Sequence, residues 1–266
     1  MQCLHNDHGY ILLTEDHIIR DKALMRALNE SLRKAVEHAR RGTLLSQVYK
    51  KVKRLLSRNE ADPDHYHGDV ATNYLKKRLE QKSWHMEQQI VHRMLADVPD
   101  GSRVLDVPFG TGRFAGMYLD KGMSVYGVDI SKDMLVAARE ALGASYEKCS
   151  VHLGSAETLP YEDNFFDLVV CFRFFGLISV EMANKVLAEI HRVTKHKAII
   201  RVPVRNKVAG DIKTPKPYQS VQGKLLESQL FSMFNAFGFN VLESKLIEER
   251  AKVSYMVYVL AKAEAH

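Results

Sequence analysis

Cysteine is scarce in this sequence, and what there is does not pair by spacing. Cys3, Cys149 and Cys171 are odd in number, far apart and free of any CxxC or CxxH arrangement, so neither a disulfide framework nor a metal site is indicated. A reducing, cytoplasmic setting is expected. Long apolar runs are missing as well. None reaches the roughly 18 residues that span a bilayer, and the most apolar stretch, FFDLVVCFRFFGLI at 165–178, is broken by Asp167 and Arg173. The opening residues lack the apolar core of a signal peptide, since LHNDHGYILLTEDH carries charges where that core would lie. No internal repeat or low-complexity tract is present. What is there, 46% apolar and 26% charged residues in a chain of 266, matches ordinary folded globular proteins. The length suits one α/β domain with roughly 60 to 90 residues to spare.

Acid is nearly absent from one segment. Residues 31–58 hold nine lysines and arginines against Glu37 alone, a net of +8, while the whole chain is only +6. Within it Leu44, Leu45, Val48, Val52, Leu55 and Leu56 recur at three- and four-residue spacing, which predicts an amphipathic helix with a basic polar face. Two readings stay open. The helix packs its apolar stripe on the main domain and solvates its charges, or it meets an anionic membrane, at the inner face of which the protein would sit, or another polyanion. The following SRNEADPDHYHGD (57–69) has no apolar period and carries Pro63 and Gly68, the signature of a linker. The expected organisation is a basic helical N-terminal extension and linker over 1–64 and a catalytic domain over 65–266.

From about residue 72 the period is helical through YLKKRLEQKSWHMEQQIVHRMLADV, and Pro99, Asp100 and Gly101 end it. Strands and helices then alternate. RVLDV (103–107), SVYGVD (124–129), CSVHLG (149–154), FDLVVCF (166–172) and AIIRVPV (198–204) read as strands. TGRFAGMYLDK (111–121), SKDMLVAAREAL with Ser131 as N-cap, and VEMANKVLAEIHRVTK (180–195) read as helices. The last quarter gives a helix, GKLLESQLFSMFNAFG, stopped by Gly238, then FNVLESKLI and SYMVYVLAK as an antiparallel pair. The fold class expected is α/β: a Rossmann-like seven-stranded sheet, mostly parallel with an antiparallel C-terminal strand pair, and helices on both faces.

The stretch VLDVPFGTGRFAG (104–116) puts glycines on the turn between a buried strand and a helix N-terminus, where a ligand can lie against bare backbone. Gly110, Gly112 and Ala115 formally satisfy GxGxxA, and Asp129 ends the next strand 17 residues after Gly112, placed to accept from ribose hydroxyls. Asp106 decides between nucleotides. It ends the first strand where a dinucleotide would bring its pyrophosphate, and the repulsion would cost about 1–4 kcal/mol at partly screened dielectric. A cationic ligand suits it better. S-adenosylmethionine carries an ammonium and a sulfonium and no phosphate.

VLDVPFGTGRF, YGVDISKDMLVAARE and GSAETLPYEDNFFDLVVC, in that order and spacing, resemble the class I S-adenosylmethionine-dependent methyltransferases, in particular the small-molecule, ubiquinone-biosynthesis-like type, over roughly residues 66–262. The resemblance implies S-adenosylmethionine as cofactor and S-adenosylhomocysteine as product. It assigns Asp106, Gly110, Thr111 and Gly112 to the methionine moiety, with Pro108 in place of the commoner first glycine, and Asp129 to the ribose. Ile130 and Met134 would pack on the adenine, and Ser155, Ala156 and Glu157 would form the adenine-edge loop, Ser155 departing from the usual Asp. Cys171 and Phe172 would meet the cofactor's methyl end. Tyr66, Tyr74 and Arg78 match a lid that reaches the methionine carboxylate. Relatives carry a His pair after the fourth strand, which FRFFGLI lacks.

Methyl transfer is an in-line displacement that needs a base only for a protonated nucleophile. For a hydroxyl acceptor the first candidate is His67, at the lid entrance. Arg173, Arg201, Arg205, Lys207 and Lys213 follow the carboxyl ends of strands four and five, the edge where such sheets bind ligands. Arg173, Arg205 and Lys213 are the expected contacts to an acidic or phosphorylated acceptor. Separately, LHNDHGYILLTEDHII near the N-terminus resembles the catalytic loop of small-molecule and lipopolysaccharide kinases, without an upstream phosphate loop. That resemblance implies a glycan or lipopolysaccharide acceptor. The expected function is O-methylation of a small-molecule or glycan-type acceptor. The alternatives are an RNA methyltransferase that uses the basic helix, although no [DNS]PP[YFW] motif is present, and a non-catalytic cofactor-binding subunit.

Overall fold

In a computed structural model, residues 74, 78–206, 221 and 225–263 are described. The expected basic helix and linker, the kinase-like stretch, Tyr66, His67 and Lys213 lie outside them. Among the described residues seven strands and five α-helices follow one another as α1 (Lys82–Leu95), β1 (Arg103–Asp106), α2 (Ala115–Asp120), β2 (Ser124–Asp129), α3 (Lys132–Leu142), β3 (Cys149–Leu153), β4 (Phe166–Cys171), α4 (Val180–Val193), β5 (Thr194–Arg205), α5 (Glu227–Ala236), β6 (Phe239–Arg250) and β7 (Val253–Lys262). The sheet order is β3-β2-β1-β4-β5-β7-β6. β1 to β5 are parallel, and β7 runs antiparallel to both β5 and β6. The expected seven-stranded sheet with an antiparallel C-terminal pair is the one observed.

Burial follows from position in the sheet. β4 is buried at every residue but Asp167 and β5 is continuously buried over 198–204, whereas the edge strand β6 alternates buried or half-buried with exposed residues. Successive residues of the central strands feed opposite cores. Leu105, Val169, Ile200 and Val202 pack under α4 and α5 through Val186, Leu187, Ile190, Leu230 and Phe234. Val104, Leu168, Val170 and Ile199 pack under α1, α2 and α3 through Val91, Leu95, Tyr118 and Ala138. The α1 stripe that faces the sheet is Trp84, Glu87, Val91 and Leu95, a three- and four-residue spacing with one carboxylate in it.

Several element boundaries differ from the sequence reading, three of them for a local physical reason. The first long helix is interrupted at Gln81, whose extended backbone (φ −87°, ψ 124°) precedes α1. α2 begins at Ala115 instead of residue 111, because Gly110 and Gly112 adopt φ of 57° and 65° and hold the intervening chain in turns. α4 stops at Val193, and Thr194 already begins β5 with its hydroxyl donating to the Ile190 carbonyl. The chain winds outward from β1 to β3 and then returns to β4 on the other side of β1. That reversal opens a crevice at the carboxyl ends of β1 and β4.

Candidate active site

Asp106 ends β1 at this crevice and is 3% exposed. The turn after it is held by backbone. Phe109 N–H donates to the Val128 carbonyl (2.8 Å) and Val107 N–H to the Val170 carbonyl (2.9 Å). Phe109 packs its ring on Gly127, where any side chain would collide with it, and a Cβ on Gly112 would lie 2.6 Å from Leu142. Asp129, at the end of β2, accepts from Gly110 N–H (2.8 Å) through one carboxylate oxygen and from Ser131 N–H (2.9 Å) through the other. Ser131 caps α3 by accepting from Met134 N–H. The acid expected to meet a ribose therefore also clamps the glycine turn to the start of α3.

A cavity of about 40 Å³ lies against this turn, lined by residues that include Tyr74, Trp84, Asp106, Pro108, Thr111 and Arg113. Around it stand buried polar atoms without hydrogen-bond partners: Trp84 Nε1, Thr111 Oγ1 and Arg113 Nη1, with Tyr118 Oη nearby in sequence and fold. Such groups are costly unless a ligand satisfies them. Burial, reinforced by the negative charge of Asp129, pushes the Asp106 carboxyl well above the usual carboxylate range against the pull of Arg113. Burial likewise raises the Cys171 thiol and the Tyr118 phenol, and Asp106 adds to both. An acid in this state gains most from a cationic ligand. One acid and three unpartnered donors suit a ligand that bears both an ammonium and a carboxylate.

Opposite the acids lies a buried cluster of the other sign. Glu87 of α1 is fully buried and meets three guanidiniums: Arg113 Nη2 at 2.5 Å, Arg173 Nε at 2.9 Å and Arg201 Nε at 2.6 Å. Burial raises the Glu87 carboxyl, but Arg113, Arg201 and Arg173 together hold it below its ordinary value. Burial, opposed by Glu87 and aided by Arg173 and Arg113, lowers Arg201 to about 10. Arg173 reaches this position from a left-handed backbone (φ 56°) just past β4, and it also donates to Gln81 Oε1 and Ser83 Oγ. Arg113 lies over the Trp84 ring at 4.0 Å, a cation–π contact that orients the guanidinium. A second cavity, of about 190 Å³, opens beyond Arg173 and is lined by Arg78, Arg201, Arg250 and Tyr255 among others.

The expected site residues divide accordingly. Tyr74, Asp106, Pro108, Gly110, Thr111, Phe172 and Arg173 line the small cavity. Gly112 lies in the same turn, and Cys171 is buried at the end of β4. Met134 is buried with its methyl group close to Gly110, whereas Ile130 is 56% exposed. Ser155 Oγ accepts from Glu157 N–H, Ala156 is buried, and Glu157 pairs with Lys185. Arg78 donates to Gln81 Oε1, lies 4.8 Å from the Tyr74 ring centre and lines the larger cavity. Arg205 lines neither cavity, because it sits four residues beyond Arg201, about 13 Å along the strand. Trp84 carries a second role. It is buried, yet it also walls the site. Glu87 and Arg113 were not anticipated, although a carboxylate in register with Trp84, Val91 and Leu95 requires buried cations. Among the described residues no histidine lines either cavity, and no group of acids, histidines or cysteines is arranged to hold a metal.

Residues 104–197 match a family model described as a methyltransferase domain. The chain is 32% identical to a glycine/sarcosine N-methyltransferase of Aphanothece halophytica over 54% of this chain and 57% of that protein. It is 36% identical to a demethylmenaquinone methyltransferase of Renibacterium salmoninarum over 47% of this chain and 48% of that one. It is 31% identical to a ubiquinone/menaquinone biosynthesis C-methyltransferase of Burkholderia orbicola over 59% and 65%. The matched region thus spans about half to two-thirds of these relatives. Among solved structures, the [4+2]-cyclase SpnF superposes with a TM-score of 0.60 at 18% identity, covering 76% of this chain and 95% of that chain. A Burkholderia thailandensis 1,6-didemethyltoxoflavin-N1-methyltransferase with bound S-adenosylhomocysteine superposes with 0.55 at 18% identity, covering 74% and 86%. These two share the fold.

Proposed function

We propose that this chain, whose described domain is a class I S-adenosylmethionine-dependent methyltransferase domain of the ubiquinone-biosynthesis type, transfers a methyl group from S-adenosylmethionine to a small-molecule acceptor. The observation that carries the reading is the buried Asp106 beside the unpartnered donors of Trp84, Thr111 and Arg113 at the glycine turn. The cofactor, when bound, supplies a methyl group activated by a sulfonium. Asp106 would hold the ammonium, and Thr111, Arg113 and Trp84 would donate to the carboxylate. Asp129 would accept from the ribose hydroxyls, Met134 would support the adenine, and Ser155 to Glu157 would border its edge. Phe172, edge-on to Phe114 at 5.1 Å between ring centres, keeps the reacting end dry. The protein's part is then alignment and water exclusion.

Oxygen as the accepting atom, with His67 as base, remains our reading of the acceptor. The names of the relatives speak of nitrogen and carbon acceptors, and the neighbour titled a cyclase carries the same fold to another chemistry. Calorimetric titration with S-adenosylmethionine, S-adenosylhomocysteine and NAD tests the cofactor. Binding of the first two and not of NAD is expected. Binding of NAD alone would overturn the assignment of Asp106.

A further inference from the structure

Arg173 walls both cavities, so whatever enters the larger one lies beside the reacting end of the smaller one. We propose that the larger cavity binds a doubly charged phosphate monoester carried by the methyl acceptor, a proposal that rests on the methyltransferase reading for its placement next to the cofactor. The charge balance supports it. Arg78, Arg173, Arg201 and Arg250 line the cavity with Glu248 as the acid among them, and behind them Glu87 also serves Arg113. Among the described residues five guanidiniums face two carboxylates, an excess of three positive charges in a partly desolvated place. Arg201 is 8% exposed, and among the described residues its terminal nitrogens donate to nothing. Arg201 and Arg250 both lie against the Tyr255 ring, at 4.5 and 5.1 Å, and their Nε atoms face Glu87 and Glu248, so the terminal nitrogens are the ones a ligand would meet. Planar forks of this kind match phosphate oxygens in pairs, and a dianion neutralises more of the excess than a single carboxylate does.

The test uses the full chain, inorganic phosphate as probe and constant ionic strength. Calorimetry is expected to show phosphate binding that weakens about tenfold or more in Arg250→Ala and further in Arg78→Ala/Arg250→Ala, the size expected for charge-assisted bonds. Among the described residues Arg250 pairs outside the buried cluster, with Glu248, so its removal leaves Glu87 and its three partners intact. S-adenosylhomocysteine affinity should change less than about twofold in Arg250→Ala, which removes no residue assigned to the cofactor. A sugar phosphate should bind at least as tightly as inorganic phosphate, and its dephosphorylated form should not bind. Phosphate heat unchanged in the double variant would place the anion elsewhere and overturn the proposal. Equal competition by acetate would overturn the dianion. Loss of S-adenosylhomocysteine binding in the unmodified chain, with phosphate binding retained, would overturn the cofactor reading instead.

Discussion

The two sides of the crevice are built on opposite charge logic. On the β1–β2 side two carboxylates, Asp106 and Asp129, sit buried at strand ends, and Asp129 accepts from two backbone N–H groups. On the β4–β5 side one carboxylate, Glu87, sits among three arginines. The first side is short of cations and the second is short of anions. Arg113, on the glycine turn, belongs to both sides, since it binds Glu87 and pulls on Asp106. A sheet that reverses its winding at one point brings two strand ends together. Here those ends carry the complements of two different ligands.

The comparison breaks most severely at Glu87. Glu87→Gln leaves three buried guanidiniums facing one another, and removal of one partner from a buried ionic group costs about 3–5 kcal/mol. Denaturant unfolding should show that loss as a lower midpoint. An unchanged midpoint would mean that water, and not the carboxylate, screens the cluster. Asp129→Ala cuts the other side. It removes the clamp on Gly110 and Ser131 together with the ribose acceptor, and affinity for S-adenosylhomocysteine should fall about ten- to a hundredfold, the loss expected for one or two bonds to a charged group. The variant's unfolding midpoint separates a lost contact from a collapsed turn.

Legibility in the sequence followed the same division. The acid side could be read because each part of it is local: Asp106, Gly110 and Gly112 lie within seven residues, and Asp129 ends the very strand that the alternation marks out. Strand β2 has the expected bounds, and the order of strands and helices follows from their alternation. The arginine side is not local. Glu87, Arg113, Arg173 and Arg201 come from four elements across 115 positions, and no period or motif connects them. Arg173 and Arg201 were legible as cations at the ends of strands four and five, but their shared partner was not, and Glu87 left as its trace a polar residue at an apolar register of α1. Helix starts failed where backbone of positive φ intervened, as before α2, because hydrophobic spacing does not register a left-handed turn.

The smallest effect sharpens the contrast through pH. Asp106 has a carboxyl raised above its unfolded value, with burial the main cause and Asp129 adding to it. Between the unfolded and folded values the native state binds the extra proton, so stability declines as pH rises from about 4 towards the folded value, by at most about 1.4 kcal/mol per unit. The Asp106→Asn variant cannot ionise at this position. Its ligand-free form should therefore escape that decline, with a neutral-pH Tm above the parent's by about 2–4 °C for each kcal/mol recovered, while its affinity for S-adenosylhomocysteine falls. In the parent, an ammonium beside Asp106 favours the charged carboxylate, so ligand binding should release a proton, and the calorimetric heat should vary with the ionisation enthalpy of the buffer. In the Asp106→Asn variant that variation should vanish. Equal buffer dependence in both proteins would assign the proton to another group and remove Asp106 as the ammonium's partner.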